Sequence, residues 1–342
     1  MGSLLHELLD TRDYLLADGA TGTNYFELGL GAGDSPELWN ADHADRVKSL
    51  HRAFIEAGSD IILTNTFGGN RYRLKLHDAE NRVFELNELA AKNARAEADH
   101  AGKPVVVAGS MGPTGEIFAP VGSLQMTDGE AAFREQAEGL AAGGADVLWI
   151  ETMSSREEVE AATRGAQSTG LPVVCTLSFD TNGATMMGIT PGDLVAIANE
   201  LHDALCGCGT NCGVGAAEVA ACIGAMTGKT SPGQLLIAKA NCGVPRWEDD
   251  RIVYTGTPEL MADYACIVRD SGAQIIGGCC GTTPHHVETM AQALRQTPPQ
   301  PPPGIDEIER RLGEVSAGFK RQLAGTEDVR ESRRRRGRRR RA

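Results

Sequence analysis

The chain has 342 residues, of which 41% are hydrophobic and 23% are charged, a composition that is typical of a folded globular protein and excludes disorder over the whole length. The formal net charge is −13, and it becomes −21 when the eight arginines of residues 333–341 are set aside, so the acidic body is not expected to have nucleic acid as its main ligand. No stretch approaches 18 consecutive apolar residues, and the first residues carry neither a basic segment nor a long apolar run, so we expect no membrane span, no secretory signal and a cytoplasmic location.

Short apolar runs alternate with longer amphipathic stretches along most of the chain. The apolar runs lack strict alternation, as expected of strands that are buried on both faces of a parallel sheet. In chain order, the predicted strands are residues 14–17, 60–64, 104–108, 146–150, 172–176, 204–209, 234–239 and 273–277. The predicted helices are residues 44–57, 79–100, 128–142, 156–168, 191–203, 216–226, 258–271 and 284–296.

This alternation predicts a (β/α)8 TIM barrel that forms a single domain over residues 1–296. The alternative is an open doubly wound sheet, but residues 19–22 (GATG) do not form the glycine-rich phosphate loop that usually follows its first strand. Beyond the barrel, we predict a Pro-rich linker at 297–304, an amphipathic helix at 305–325 and a disordered Arg-rich tail at 326–342.

Cysteines follow two of the predicted strands, with Cys212 after the sixth and Cys279 and Cys280 after the eighth. Because the carboxyl ends of barrel strands meet at one rim, we expect these three thiols to converge. Three thiolates with an open fourth position are typical of a catalytic zinc site. The odd total of nine cysteines favours a reducing compartment, although small buried residues or a vicinal disulfide remain the alternatives for Cys279 and Cys280.

The other cysteines and the histidines near this rim are interpreted differently. Cys206 and Cys208 precede the end of the sixth strand and are expected in the core, while Cys242 is a potential neighbour of the thiols. His285 and His286 open the last helix of the barrel and are expected at the surface or in support of the site.

Four segments of the chain resemble the homocysteine S-methyltransferase family. They are residues 18–23 (DGATGT), 148–152 (LWIET), 209–212 (GTNC) and 277–284 (GGCCGTTP). The resemblance covers about residues 10–296 and implies a barrel that carries one zinc ion on Cys212, Cys279 and Cys280. It also implies transfer of a methyl group to the thiol of L-homocysteine, which forms methionine.

The resemblance assigns the amino-acid end of homocysteine to Asp18 and Glu151. Two carboxylates suit an ammonium group, and the backbone N–H groups of Gly19 and Ala20 are expected to receive the substrate carboxylate. The alternatives are a turn-forming Asp-Gly pair and a solvated strand end. The full set of predicted substrate-binding residues is Asp18, Gly19, Ala20, Ser110, Glu151 and Asn211.

Members of this family use betaine, S-methylmethionine or a methylated corrinoid as the methyl donor. Betaine users place aromatic residues directly after the second and fourth strands, where this chain has Gly68 and Thr152. The sequence is more similar to the homocysteine domain of cobalamin-dependent methionine synthase, which continues into further domains. We therefore expect methylcobalamin on a separate protein, and betaine stays open because Trp39, Tyr25 and Tyr72 could rebuild part of an aromatic cage.

A hypothesis of another class is a non-catalytic zinc-thiolate barrel with a regulatory role. In that case the RRRRGRRRR segment would recruit an acidic partner, RNA or a membrane surface, although its charge favours a solvated chain end.

Overall fold

Parallel strands form a sheet that closes on itself in the computed structural model, which describes residues 3–248 and 251–323. The eight barrel strands within those ranges are β1 (Leu15–Leu16), β2 (Ile61–Leu63), β3 (Val106–Met111), β4 (Val147–Met153), β5 (Val173–Leu177), β6 (Gly207–Cys212), β7 (Leu235–Ala240) and β10 (Ile275–Gly278). Each strand pairs with its neighbours in the order β1-β10-β7-β6-β5-β4-β3-β2. The ring closes between β1 and β2, where Ala17 bridges to Ile61 and the Asp18 N–H donates to the Ile61 carbonyl oxygen at 3.0 Å. The predicted (β/α)8 barrel is confirmed.

Helices fill the connections between the strands. The α-helices in the described ranges are α1 (Leu4–Leu9), α2 (Gly22–Glu27), α3 (Trp39–Asp42), α4 (Ala44–Glu56), α5 (Arg71–Leu74), α6 (Val83–Asp99), α7 (Met126–Ala142), α8 (Arg156–Gln167), α9 (Pro191–Glu200), α10 (Ala216–Met226), α11 (Pro258–Asp270), α12 (Pro284–Gln296), α13 (Ile305–Leu312) and α14 (Ala317–Leu323). Short 3-10 turns lie at Pro36–Leu38, Lys75–His77 and Glu80–Arg82. Several helices begin at a hydroxyl cap followed by proline, as at Thr190 of α9 and Thr257 of α11. None of these helices, within the part of the chain that is described, has the length and apolar character needed to cross a bilayer.

Hydrophobic side chains pack on both faces of the barrel strands and form an inner and an outer layer. The inner layer fills the barrel with side chains such as Val106, Trp149 and Ile237, and Leu5 and Leu8 of α1 belong to the same cluster. The outer layer packs the opposite faces of the strands against the helices. Because both strand faces are buried, the strands show continuous apolar runs rather than alternation.

The structure differs from the sequence prediction mainly at the ends of elements. β6 begins and ends three residues later than the predicted 204–209, because the glycines at 207 and 209 obscure its strand pattern. β3 and β4 extend three residues beyond their predicted ends. An antiparallel hairpin, β8 (Pro245–Glu248) and β9 (Arg251–Tyr254), lies between β7 and α11 and was not predicted.

The segment that follows the barrel contains two helices rather than the one predicted over 305–325. α13 ends before Gly313, whose φ of 103° interrupts the helix. Ile308, Leu312, Val315 and Phe319 are buried and belong to the outer hydrophobic layer of the barrel. The predicted Arg-rich tail, 326–342, lies outside the described residues.

Candidate functional site

Three cysteine thiols meet at the carboxyl-terminal rim of the barrel, and we call this group the thiol centre. Cys212 ends β6, and Cys279 and Cys280 follow β10. Their sulfur atoms all lie within 4.8 Å of one another, and the Sγ atoms of Cys212 and Cys280 are 3.8 Å apart. Thiolates that bind one tetrahedral zinc ion at about 2.3 Å are separated by about 3.8 Å. In residues 3–248 and 251–323, no other group of three His, Cys, Asp or Glu side chains converges in this way, so the thiols could hold a metal ion.

The backbone around Cys212 is strained, and neighbouring side chains stabilise it. Cys212 has a φ of 61° and Gly213 has a φ of 66°, both in the left-handed region. A non-glycine residue there costs about 1–3 kcal/mol and persists only when its surroundings fix it. Asn241 donates to the Gly213 carbonyl oxygen at 3.0 Å, and Ser178 Oγ accepts from the Gly213 N–H at 3.0 Å.

Asn241 connects the two segments that carry the thiols. Its Oδ1 accepts from the Cys280 N–H at 3.1 Å while its Nδ2 binds Gly213, the residue after Cys212. Asn241 was not among the site residues predicted from the sequence. Its position directly after β7, at the same rim, is the signal that could have identified it.

Cys279 and Cys280 are free cysteines, so the structure does not contain the vicinal disulfide considered above. Hydrogen bonds from Cys212 and Cys279 lower the pKa of the Cys280 thiol, and the Tyr254 hydroxyl of β9 lowers it further. Hydrogen bonds to Cys279 and Cys280, together with burial, raise the pKa of Cys212. Binding of a cation by such a coupled set would release the remaining thiol protons.

A buried cluster of charged side chains, Asp18, Lys239 and Glu151, lies at the same end of the barrel, and we call it the charge cluster. Lys239 Nζ of β7 is 2.8 Å from Asp18 Oδ1, and both side chains are buried. Asp18 Oδ2 accepts from the Leu63 N–H at 2.7 Å, so both oxygens of this carboxylate have partners. The ammonium of Lys239 also lies 5.5 Å from the centre of the Trp149 ring.

Lys239 was not predicted as a site residue, because a lysine within an apolar strand gives no sign of its buried partner. Burial lowers its pKa, but the negative charges of Asp18 and Glu151 outweigh that effect and the net shift is upward. Lys239 therefore carries a positive charge inside the barrel.

Glu151 is the member of the charge cluster without a basic side chain hydrogen-bonded to it. Ser110 donates a short hydrogen bond to its Oε1. Burial raises the pKa of Glu151 to about 7, although the positive charge of Lys239 opposes the shift. Near neutral pH this carboxyl group is thus poised between its charged and neutral forms.

The other predicted substrate residues have structural contacts of their own. The Ala20 N–H donates to the Thr282 carbonyl oxygen at 3.1 Å, so it is already bonded. A Cβ atom on Gly19 would lie 2.6 Å from the same oxygen, so this close approach requires glycine. Asn211 donates to Thr152 Oγ1 at 2.7 Å and accepts from the Thr152 N–H at 3.0 Å, which joins the ends of β6 and β4.

Cys206, Cys242 and His286 have partners outside the thiol centre. Cys206 donates to the Val173 carbonyl oxygen at 3.3 Å, and Cys242 donates to the Gly256 carbonyl oxygen at 3.2 Å. His286 Nδ1 is 2.7 Å from the Thr283 hydroxyl and completes the cap of α12.

The aromatic residues considered for a cage lie mostly in the core. Trp39 and Tyr25 are buried, with ring centres 5.4 Å apart, and Arg46 covers the Trp39 ring at 5.0 Å. The Gly68 N–H donates to Glu37 Oε1 at 2.7 Å. Tyr72 is partly buried against the outer hydrophobic layer.

Comparisons with known proteins agree with this architecture. Residues 15–294 match the sequence model described as homocysteine S-methyltransferase. Proteins named methionine synthase from Mycobacterium tuberculosis and Mycobacterium leprae are each 29% identical over 307 residues, which is 84% of this chain and 25% of theirs. The chain therefore spans about a quarter of the length of these curated relatives.

Solved structures of the homocysteine methyltransferase MmuM from Escherichia coli share the fold. Its oxidized form superposes with a TM-score of 0.71 at 24% identity and covers 86% of this chain and 100% of its own. Its metallated form gives a TM-score of 0.70, also at 24% identity, over 84% of this chain and 99% of its own.

Proposed function

The chain belongs to the homocysteine S-methyltransferase family, and from this premise we propose that it transfers a methyl group to the sulfur of L-homocysteine, forming methionine. The observation that carries the proposal is the convergence of three free thiols, from two distant segments, at the rim where barrel enzymes place their chemistry.

The proposed metal is zinc, one ion per chain, held by Cys212, Cys279 and Cys280. The all-sulfur donor set and the 3.8 Å separation of two of its sulfur atoms fit a tetrahedral ion with one position left for a further ligand. When bound, zinc supplies the positive charge that keeps the substrate sulfur deprotonated at neutral pH.

The charge cluster, in this proposal, orients the amino-acid end of homocysteine. Glu151 receives the substrate ammonium, and Ser110 fixes the direction of the carboxylate. Asp18 contributes its negative charge from a position that Lys239 and the Leu63 N–H hold in place. Positioning of the sulfur against the methyl carbon then accounts for most of the catalysis expected of the protein.

The reaction is a displacement at the methyl carbon. The sulfur lone pair forms the new S–C bond while the bond from the methyl group to its donor breaks. The electron pair of the broken bond remains on the donor, and the thiol proton of homocysteine goes to solvent. This step needs no Ser, His or Asp as a general base, because the thiol has lost its proton before the attack.

A methylcorrinoid carried by a separate protein is the proposed donor. Gly68 and Thr152 stand where a cage for betaine would need aromatic rings. Trp39 and Tyr25 are buried and pack against each other, which weakens the case for a rebuilt cage. The similarity to proteins named methionine synthase also favours this donor over betaine and S-methylmethionine.

The experiment supplies zinc-loaded protein and homocysteine with methylcobalamin, free or protein-bound, and in parallel with betaine or S-methylmethionine. We expect methionine to form with methylcobalamin. Efficient turnover with betaine and none with methylcobalamin would reverse the donor assignment. Stoichiometric zinc without turnover from any donor would instead support a non-catalytic zinc-thiolate barrel.

A further inference from the structure

The last described helix, α14, lies beyond the family match and contacts a loop at the rim. The match ends at residue 294, whereas α14 begins at Ala317. We call residues 178–190, between β5 and α9, the β5 loop. Ser316 Oγ donates to the Thr181 carbonyl oxygen of this loop at 2.7 Å. A Cβ atom on Gly318 would lie 2.2 Å from the same oxygen and 2.7 Å from Asn182 Cα, so the backbones of α14 and the loop are in direct contact.

A buried aromatic ring strengthens the same contact. Phe319 of α14 is 1% exposed, and a Cβ atom on Gly183 of the β5 loop would lie 3.2 Å from it. Hydrogen bonds also keep the loop compact, since the Asp180 N–H donates to the Ala184 carbonyl oxygen at 3.0 Å. A displacement of α14 would therefore be transmitted to the loop.

The first two residues of the β5 loop contact the turn that carries Cys212. Ser178 Oγ accepts from the Gly213 N–H at 3.0 Å, and the Phe179 carbonyl oxygen lies 2.9 Å from where a Cβ atom of Gly213 would be. Cys212 has the left-handed backbone that its surroundings must maintain. The contacts thus run without a gap from α14 through the loop to the thiol centre.

We propose that α14 is a positioning element of the thiol centre, which holds the turn at Cys212 in its metal-binding conformation through the β5 loop. Ser316, Gly318 and Phe319 are the positioning residues, and none of them touches the thiols. The inference rests on the proposed zinc function of the three cysteines. The proposal thus assigns a role in metal binding to a segment that lies outside the family match.

The test compares two Gly→Ala substitutions in helices of the full-length chain. Gly318→Ala forces α14 away from the β5 loop, whereas a Cβ atom on Gly224 of α10 meets nothing within 4 Å. Both changes replace glycine by alanine within a helix, so Gly224→Ala controls for the change in helix propensity. Zinc affinity is measured by competition with a chromophoric chelator, together with the unfolding midpoint of each protein.

Groups that orient metal ligands typically change metal affinity by 10–100-fold when they are altered. We expect Gly318→Ala to bind zinc about tenfold more weakly than the wild-type protein, and Gly224→Ala to bind it equally well. Equal zinc affinities in the two variants would overturn the inference. Failure of the wild-type protein to bind zinc would instead overturn the proposed function.

A milder pair of variants keeps the test valid if Gly318→Ala does not fold. Ser316→Ala removes one hydrogen bond between the residue that precedes α14 and the loop, and Ser178→Ala removes one between the loop and Gly213. We expect each single variant to weaken zinc binding. Because both hydrogen bonds belong to the same series of contacts from α14 to Gly213, the double variant should weaken zinc binding by less than the product of the two single effects. Unchanged zinc affinity in both single variants, or effects that multiply fully, would contradict the proposal.

Discussion

The thiol centre and the charge cluster lie at the same end of the barrel, but they differ in what completes them. The charge cluster contains its own counterion, since Lys239 neutralises Asp18 inside the protein. The thiol centre contains three acidic groups that share protons, and no basic side chain is hydrogen-bonded to a thiol among the described residues. The Asp18–Lys239 pair therefore needs no further ion, and Glu151 is the one carboxyl group of the cluster whose charge changes near neutral pH. The thiols, in contrast, require a bound cation to become fully ionised.

The largest effect is expected from loss of a thiol. Cys280→Ala should remove most of the zinc and nearly all methyl transfer, because two sulfur ligands hold the ion too weakly. Metal analysis of purified protein measures this. Cys206→Ala serves as the matched control, since that thiol binds the Val173 carbonyl oxygen instead. Stoichiometric zinc in Cys280→Ala would remove Cys280 from the site.

The next effect concerns the stability of the charge cluster. Lys239→Met leaves the Asp18 carboxylate buried without its counterion, and we expect the free energy of unfolding to fall by about 3–5 kcal/mol. The double variant Lys239→Met, Asp18→Asn removes both charges and should recover much of that loss. Urea denaturation measures both proteins. A single variant as stable as the wild type would show that the ion pair is not what holds Asp18.

Substitution of the carboxyl groups should separate substrate binding from metal binding. Glu151→Gln removes the proposed partner of the substrate ammonium, and we expect homocysteine to bind about 10–100-fold more weakly. Asp18→Asn should weaken it as well, because Lys239 would then repel the ammonium. Zinc affinity should change little in either variant.

The control ligand for this experiment is 4-mercaptobutyrate, which lacks the amino group of homocysteine. Its affinity should be similar in the wild-type protein and in Glu151→Gln. Calorimetric titration measures all of these affinities. Unchanged homocysteine binding in both carboxyl variants would place the substrate amino group elsewhere.

A smaller effect is expected from pH. Burial raises the pKa of Glu151 to about 7, so the carboxylate that attracts the ammonium forms only as pH rises through that value. Homocysteine affinity should therefore increase with pH more steeply in the wild-type protein than in Glu151→Gln. The comparison removes the contribution of the substrate thiol, which is the same in both proteins. Identical pH profiles would exclude Glu151 as the titrating group.

The barrel and the meeting of the cysteines could be predicted from the sequence because each depends on local pattern. Apolar runs between amphipathic stretches identify strands and helices, and the parallel topology brings every strand end to one rim. Cys212, Cys279 and Cys280 therefore had to lie close together once the strands were placed, and the structure confirms that they do.

The charge cluster was harder to predict because it depends on partners that are distant in the chain. Asp18 and Lys239 are separated by 221 residues, and no local pattern signals that one neutralises the other. The role of Asn241 is similar, since its two hydrogen bonds join segments from different strands. The division of the last segment into α13 and α14 depends on Gly313 and on packing against the barrel rather than on amphipathic spacing.

The most direct test of the account is X-ray absorption at the zinc edge of the zinc-loaded full-length protein, with and without homocysteine. We expect three sulfur ligands and one lighter ligand in the free protein, and four sulfur ligands when homocysteine is bound. Homoserine, which carries oxygen in place of sulfur, should leave the spectrum with three sulfur ligands. A spectrum that saturating homocysteine does not change, or a free protein with fewer than three sulfur ligands, would contradict the central claim.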